Sequence, residues 1–107
     1  MKLPLYQIDA FTGVVFGGNP AAVCPLPAWP PEATLQNIAA ENNLAETAFI
    51  VARGDDYELR WFTPTLEMDL CGHATLAATF VLNAELGVST NPIRFHSRSG
   101  VLTVHRE

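Results

Sequence analysis

Two short segments of the sequence carry side chains whose types and spacing could support the transfer of a proton. Glu46 lies at the start of an apolar run that continues to Ala52. A carboxylate at the head of a buried strand is partly removed from water, which makes it a stronger proton acceptor. The alternative is a surface glutamate that accepts hydrogen bonds in a turn, since structural carboxylates outnumber catalytic ones.

The second segment is Cys71-Gly72-His73, which precedes another apolar run. The free backbone N–H groups at the start of a helix, together with the helix dipole, bind anions. Gly72 would let a ligand approach the backbone closely, and His73 could donate to a carboxylate or relay a proton. The alternative is that Asp69 caps the helix and that His73 makes only structural hydrogen bonds.

Cys71 itself has two interpretations. A helix start favours the thiolate form, so Cys71 could act as a base. A small buried side chain is the more frequent role of a free cysteine. Cys24 and Cys71 lack the spacing of a close-set motif, and no secretory signal precedes them. We therefore expect reduced thiols and a cytoplasmic protein, although counting alone does not exclude one disulfide.

Other constellations of polar residues are weaker. The segment Gly17-Gly18-Asn19-Pro20 predicts a tight turn and lacks the spacing of a phosphate-binding loop. His96 and His105 are expected to lie near each other on the polar face of the last hairpin, as a solvated face. No CxxC, HExxH or G-x-S-x-G pattern occurs, which argues against a zinc site and a serine hydrolase.

Composition limits the classes of function that remain. The chain has 107 residues, of which 6 are basic and 11 acidic, for a net charge of −5. A chain of this length forms one domain, and 49% hydrophobic content is typical of a globular one. The negative charge and the absence of a basic cluster argue against binding to nucleic acid or to an anionic membrane surface. Glycines and prolines between Asp9 and Glu32 exclude a membrane-spanning helix there.

Hydrophobic periodicity predicts the elements that would position the candidate residues. In chain order they are strands at 3–10 and 21–24, a loop at 25–31, a helix at 31–43, a hairpin of 47–52 with 57–63, a helix at 71–86 and a hairpin of 93–98 with 101–106. The second helix has no strongly polar side chain between 74 and 82, so we expect it to be buried on all sides. The pattern predicts an α+β fold with a curved sheet wrapped around this central helix.

Five sequence blocks together resemble one known family. They are Asp9-Ala10-Phe11-Thr12, Phe16-x-Gly18-Asn19-Pro20-Ala21-Ala22-Val23, Asn43-Leu44-Ala45-Glu46-Thr47-Ala48-Phe49, Trp61-Phe62-Thr63-Pro64 and Cys71-Gly72-His73-Ala74-Thr75-Leu76-Ala77. In this order and spacing, the sequence is similar to the PhzF-like isomerase family of phenazine biosynthesis over nearly the whole chain.

The resemblance implies a diaminopimelate-epimerase-like fold, in which two similar domains each form a β-barrel around a central helix and the active site lies between them. It implies a cofactor-independent isomerase that moves a proton on a small acidic metabolite. Glu46 matches the catalytic glutamate, Gly72 and His73 match the substrate-holding helix start, and Asn19 matches a turn near the cleft.

The sequence departs from related proteins in two ways. Related epimerases use a pair of cysteines, whereas here His73 and Ala74 follow Cys71-Gly72, so Glu46 is the preferred acid/base and Cys71 keeps a minor role. Family chains are longer and carry an Asp-Pro-x-x-Gly-type motif in their second half, which is absent here. We therefore expect residues 1–107 to be an incomplete N-terminal domain without its C-terminal domain, inactive alone and homodimeric when complete.

Two alternatives to this isomerase remain. They are a non-catalytic, oligomerising half-fold protein and a Cys71-dependent racemase.

Overall fold

The computed structural model describes residues 5–8, 21–69 and 72–105 of the chain. Their elements, in chain order, are strand β1 (Tyr6–Ile8), strand β2 (Ala21–Leu26), helix α1 (Glu32–Asn42), strands β3 (Glu46–Arg53), β4 (Asp56–Phe62) and β5 (Glu67–Met68), helix α2 (Gly72–Phe80) with a π-helical continuation (Val81–Glu85), and strands β6 (Ile93–Ser97) and β7 (Gly100–Val104). The observed fold is α+β, as the sequence predicted.

The strands of the described residues form one mixed sheet in the order β1-β2-β3-β4-β6-β7, with β5 paired to β4. Both predicted hairpins are confirmed, because β3 pairs antiparallel with β4 and β6 pairs antiparallel with β7. Two neighbouring pairs are parallel, β2 with β3 and β4 with β6. Parallel strands need a crossover connection, and here helices α1 and α2 lie within the two crossovers.

The central strand β3 is buried on both faces, because successive side chains of a strand point to opposite sides of the sheet. Ala48 and Ile50 pack in one cluster with α2. Phe49 and Val51 pack in a second cluster with α1. The continuous apolar run in the sequence is therefore explained by two helices that cover opposite faces of the same strand.

Helix α1 ends where the sequence predicted. Asn43 adopts the left-handed conformation at φ 52°, and its backbone N–H donates to the carbonyl of Ala39 at 3.2 Å. Asparagine tolerates this conformation better than most residues, so it terminates the helix. Leu35 and Ala39 form the buried side of the helix. The reversal that follows brings the chain to β3 within three residues.

One predicted boundary is wrong in the structure, and one strand was not predicted. The predicted loop at 25–31 starts too early, because Pro25 and Leu26 continue β2 opposite Ile50 and Val51. Strand β5 was not predicted, since its two residues are too short to show a periodicity.

The prediction that the second helix is buried on all sides is also wrong. Ala74, Ala77 and Ala78 are fully buried, but Leu76 is 50% exposed and Phe80 is 41% exposed. These two side chains lie one helical turn apart and so form one apolar stripe. The described part of the sheet contacts the alanine side of α2 and leaves this stripe open to solvent.

The two phenylalanines Phe49 and Phe80 give a matched test of the packing. Phe49 is fully buried and meets Phe62 edge to face at 5.5 Å. We expect Phe49→Ala to lower the free energy of unfolding of this chain by about 3–5 kcal/mol, because it leaves a cavity. Phe80→Ala should cost about 1 kcal/mol or less, since the side chain is already 41% exposed and its truncation leaves no enclosed cavity. Urea unfolding measures both, and equal losses would contradict the assigned core.

Candidate active site

Glu46 is the first residue of β3, where it pairs with Ala21 of the parallel strand β2. The side chain is half-buried, and its Oε2 atom is shielded from solvent. Strand alternation places Glu46 on the same face of the sheet as Ala48 and Ile50, which is the face that α2 covers. The carboxylate is therefore positioned at the head of a strand and partly out of water, as the sequence predicted.

A hydrogen bond beside Glu46 secures its position. The Nδ2 atom of Asn42, in the last turn of α1, donates to the hydroxyl of Thr47 at 3.2 Å. Thr47 is fully buried and Asn42 is partly exposed, so this contact lies at the edge of the core. The end of α1 and the start of β3 are thus tied together on either side of the short reversal at residues 43–45.

Helix α2 begins at Gly72 and includes His73 in its first turn. The first turn of a helix presents backbone N–H groups that have no partner within the helix, the feature on which the predicted anion site depends. Further along, the indole Nε1 of Trp61 in β4 donates to the hydroxyl of Thr75 at 3.0 Å in a buried hydrogen bond. This bond connects the early part of α2 to the sheet.

Sheet register relates the two candidate segments. Trp61 lies opposite Ala48, two residues beyond Glu46 on β3. Ala21, the strand partner of Glu46, belongs to the same core cluster as Ala74 of α2. The head of β3 and the early residues of α2 thus share one side of the sheet and one apolar cluster.

Asp69 is drawn toward the last hairpin. Its side chain is 80% exposed and its Oδ1 atom lies 3.5 Å from Nε of Arg98. Its backbone carbonyl accepts a hydrogen bond from the hydroxyl of Ser99 at 2.7 Å. These contacts hold the chain just ahead of α2 against the turn between β6 and β7.

Four of the predicted site residues lie outside the described residues or are described only in part. Asn19 and Cys71 lie outside them, and for Gly72 and His73 the structure describes the helical backbone alone. Cys24 is a free, buried thiol, and burial raises its pKa to about 11. A pKa this high keeps the Cys24 thiol protonated at neutral pH and makes it a poor nucleophile.

An ionic cluster occupies the opposite face of the sheet. Arg60 contacts Glu67 at two points, 2.8 Å from Nε to Oε2 and 2.5 Å from Nη2 to Oε1, and Glu32 at 2.7 Å. Its guanidinium also lies 5.7 Å from the centre of the Trp29 ring. The hydrogen bond from Arg60 lowers the pKa of Glu67 below its ordinary value, and the same bond raises the pKa of Arg60.

This cluster lines an open groove of about 530 Å³. Its carboxylates and guanidiniums pair with one another, including Arg53 with Glu58 at 3.9 Å and Arg98 with Glu67 at 3.3 Å. Glu58 and Arg60 alternate along β4 with core residues that face α2, so the groove lies across the sheet from Glu46. We assign the groove a structural role, because its charges are already used within the protein.

The predicted proximity of His96 and His105 is wrong. In the hairpin, His96 lies opposite Val101 near the turn, whereas His105 follows the last residue of β7 at the other end. His96 instead lies 2.9 Å from Asp56, and this hydrogen bond lowers the pKa of Asp56. In the part of the chain that the structure describes, no three histidine, cysteine or acidic residues are grouped as metal ligands would be.

Sequence reasoning missed the supporting residues Asn42, Trp61 and Thr75. The alternation of β4 places Trp61 correctly on the core face, but nothing in a single sequence reveals that a tryptophan and a threonine 14 residues apart share a hydrogen bond. The signal that could have pointed to Thr75 is a hydroxyl within an otherwise apolar helix, because a buried polar group requires a partner.

Comparisons with known proteins place this geometry in context. The sequence profile of the family described as "Phenazine biosynthesis-like protein" matches residues 8–107. The chain is 58% identical to an uncharacterized isomerase of Pseudomonas aeruginosa, and the match covers 100% of this chain and 41% of that protein. It superposes on the crystal structure of a PhzF family protein from Enterococcus faecalis with a TM-score of 0.92 and 56% identity, over 100% of this chain and 41% of that one.

A more distant structure shares the fold alone. The predicted epimerase of Pseudomonas aeruginosa has a TM-score of 0.81 at 23% identity, over 98% of this chain and 39% of that one. The fold and the relatives define a PhzF-like protein, a class in which the Pseudomonas relative carries the name of an isomerase. The chain belongs to the PhzC-PhzF family of phenazine biosynthesis-like proteins and spans about 41% of the length of the relatives described above. Neither described helix has the length and apolar character needed to cross a membrane.

The pKa shift of Glu67 predicts how acid affects stability. Because its pKa is lowered in the folded state, Glu67 stabilises the protein above its ordinary pKa and loses this contribution as the pH falls below about 4. We expect Glu67→Gln to be less stable at neutral pH and to lose less stability between about pH 5 and pH 3. Urea unfolding across this range measures the effect.

Glu32→Gln is the matched control, because Glu32 contacts the same guanidinium but its side chain is 71% exposed. An exposed ion pair contributes little, so this variant should follow the pH profile of the unmodified chain. A Glu67→Gln profile parallel to the unmodified one would contradict the assigned role of the Arg60–Glu67 pair.

Proposed function

We propose that the protein is an isomerase that moves a proton on a small acidic metabolite, with Glu46 as the acid/base. The observation that carries this proposal is the position of Glu46, half-buried at the head of β3 with its Oε2 atom shielded, on the sheet face covered by α2. A carboxylate held at a fixed position can accept a proton from a bound substrate and return it.

The proposed reaction has two proton transfers. Ionised Glu46 removes a proton from an acidic carbon of the substrate, and the electron pair of that C–H bond is delocalised within the substrate. The protonated carboxyl group then returns the proton to another carbon, and Glu46 is again ionised. Atoms and electrons balance without an electron acceptor, so the reaction as proposed needs no cofactor.

The start of α2 would hold the acidic substrate. Backbone N–H groups at Gly72 and His73 stand at the positive end of the helix dipole, where a carboxylate or a developing negative charge is stabilised. His73 would donate a hydrogen bond to the same anion. Asn19 would lie near the cleft, and Cys71 and Asp69 would have minor roles.

The chain would supply one wall of the active site. It spans 41% of the Pseudomonas isomerase, and its helix α2 exposes Leu76 and Phe80. Exposed apolar side chains that neighbour each other mark surfaces that bind other parts of a protein. We propose that a C-terminal domain covers this stripe and completes the cleft, and that the complete protein forms a homodimer.

Isotope exchange tests the acid/base and does not require the substrate to be identified. The intact protein is incubated in D₂O with a panel of small carboxylic acids that carry acidic C–H bonds, and deuterium uptake is followed by NMR. We expect Glu46→Gln to reduce uptake by about 10²-fold or more, because it removes the proton carrier and keeps the shape. Glu46→Asp should retain part of the activity.

Glu41→Gln is the matched control, because Glu41 is an exposed carboxylate at the end of α1, five residues before Glu46. It should leave uptake unchanged. Full uptake in Glu46→Gln would reject the assignment. If alkylation of thiols then abolished that uptake and substrate prevented the loss, the Cys71-dependent racemase would be favoured. A stable oligomer that binds the acids without exchange would favour a binding protein.

The proposed covering of Leu76 and Phe80 by a C-terminal domain leads to a separate prediction about Phe80. In this chain alone, Phe80→Ala should cost about 1 kcal/mol or less. In the intact protein it should cost about 3 kcal/mol or more, because the truncation would then leave a cavity between the two domains. Urea unfolding of both proteins measures the difference, and equal costs would reject the proposed covering of α2.

A further inference from the structure

The side of α2 that packs on the sheet is unusually smooth. Between Gly72 and Phe80 its fully buried apolar residues are Ala74, Ala77 and Ala78, whereas the larger side chains of Val81 and Leu82 are buried in the π-helical continuation. Helices are normally held in place by side-chain ridges that fit into grooves of the opposing surface. Alanine contributes only one methyl group to such a ridge. The larger buried side chains thus lie beyond the end of α2, so apolar packing holds the start of this helix less firmly against a shift along its axis than it holds the π-helical continuation.

A directional contact compensates for this smooth face. The indole Nε1–H of Trp61 donates to the hydroxyl of Thr75 at 3.0 Å, and both residues are buried. A hydrogen bond depends steeply on distance and angle, so a small shift of the helix would break it. A buried indole N–H that has lost its acceptor is costly, which penalises every other position of the helix.

The location of this bond links the two parts of the proposed site. Trp61 lies opposite Ala48, two residues from Glu46 on β3. Thr75 lies in the turn that follows Gly72 and His73. The bond therefore sets the start of α2 relative to the strand whose head carries the proposed acid/base.

We propose that Thr75 is a positioning residue, which fixes the Gly72–His73 helix start relative to Glu46 through its hydrogen bond with Trp61. This inference rests on the proposed function, in which the helix start holds the substrate and Glu46 moves the proton. Loss of the bond weakens the hold on the substrate. It leaves Glu46 in place, because that residue has its own anchor in the Asn42–Thr47 hydrogen bond.

Kinetics of the intact protein test the proposal, with the panel acid that shows the greatest deuterium uptake as substrate. Thr75→Val removes the hydroxyl and keeps the shape of the side chain. We expect it to raise KM by about tenfold and to change kcat by less than about twofold, the pattern of a lost ground-state binding interaction. Thr75→Ser keeps the hydroxyl and should restore KM.

Thr79→Val is the matched control. Thr79 lies one turn later on the same helix, and its hydroxyl donates to the carbonyl of Thr75 at 3.0 Å, within the helix. Removal of this hydroxyl perturbs the helix without altering its bond to the sheet. KM should therefore stay within about twofold of the unmodified protein. An equal rise in KM for both valine variants would overturn the proposal.

Amide hydrogen exchange provides a second readout that needs no substrate. In an α-helix the amides of Leu76 and Ala77 donate to the carbonyls of Gly72 and His73. We expect Thr75→Val and Trp61→Phe each to accelerate their exchange by about tenfold, and the double variant to add little further. Unchanged exchange in Thr75→Val would overturn the proposal, as would an unchanged KM.

The two proposals fail in different ways. Undiminished deuterium uptake by the substrate in Glu46→Gln rejects Glu46 as the acid/base. In that case, amide hydrogen exchange at Leu76 and Ala77 still decides whether Thr75 positions the helix. Loss of uptake in Glu46→Gln, together with an unchanged KM in Thr75→Val, retains the acid/base and rejects Thr75 as a positioning residue.

Discussion

Burial of strand β3 on both faces is the constraint on which the rest of the structure depends. Ala48 and Ile50 face α2, while Phe49 and Val51 face α1, so one strand joins the two apolar clusters. A strand covered in this way cannot shift by one residue without exchanging its two sets of side chains. Its register is therefore fixed, and so is the position of Glu46 at its head.

Polar contacts fix the positions of α2 and of the start of β3 more closely than the apolar clusters do. Packing brings α2 onto the sheet, but the buried bond between Trp61 and Thr75 selects one position of the helix. The bond between Asn42 and Thr47 does the same for the entry into β3. In both places a hydroxyl buried in an apolar environment contributes geometry more than stability, because its partner must lie at one distance and angle.

The two faces of the sheet have different roles. On the α1 side, the charges around Arg60 pair with one another and connect α1, β4 and β5. On the α2 side lie a half-buried carboxylate and a helix whose outer surface carries two exposed apolar side chains. Charges that already pair within the protein thus characterise the α1 side, and exposed apolar side chains characterise the α2 side.

Periodicity in the sequence was sufficient to predict the hairpins, helix α1 with its end at Asn43 and the faces of β4, because these depend on neighbours within a few residues. The order of the blocks was sufficient to indicate the family. The parallel pairings, the pairing of His96 with Asp56 and the bond from Trp61 to Thr75 join residues far apart in the chain, and no local pattern encodes such distances. The open side of α2 also required the tertiary structure, because a helix that is apolar all round does not reveal which of its sides the sheet contacts.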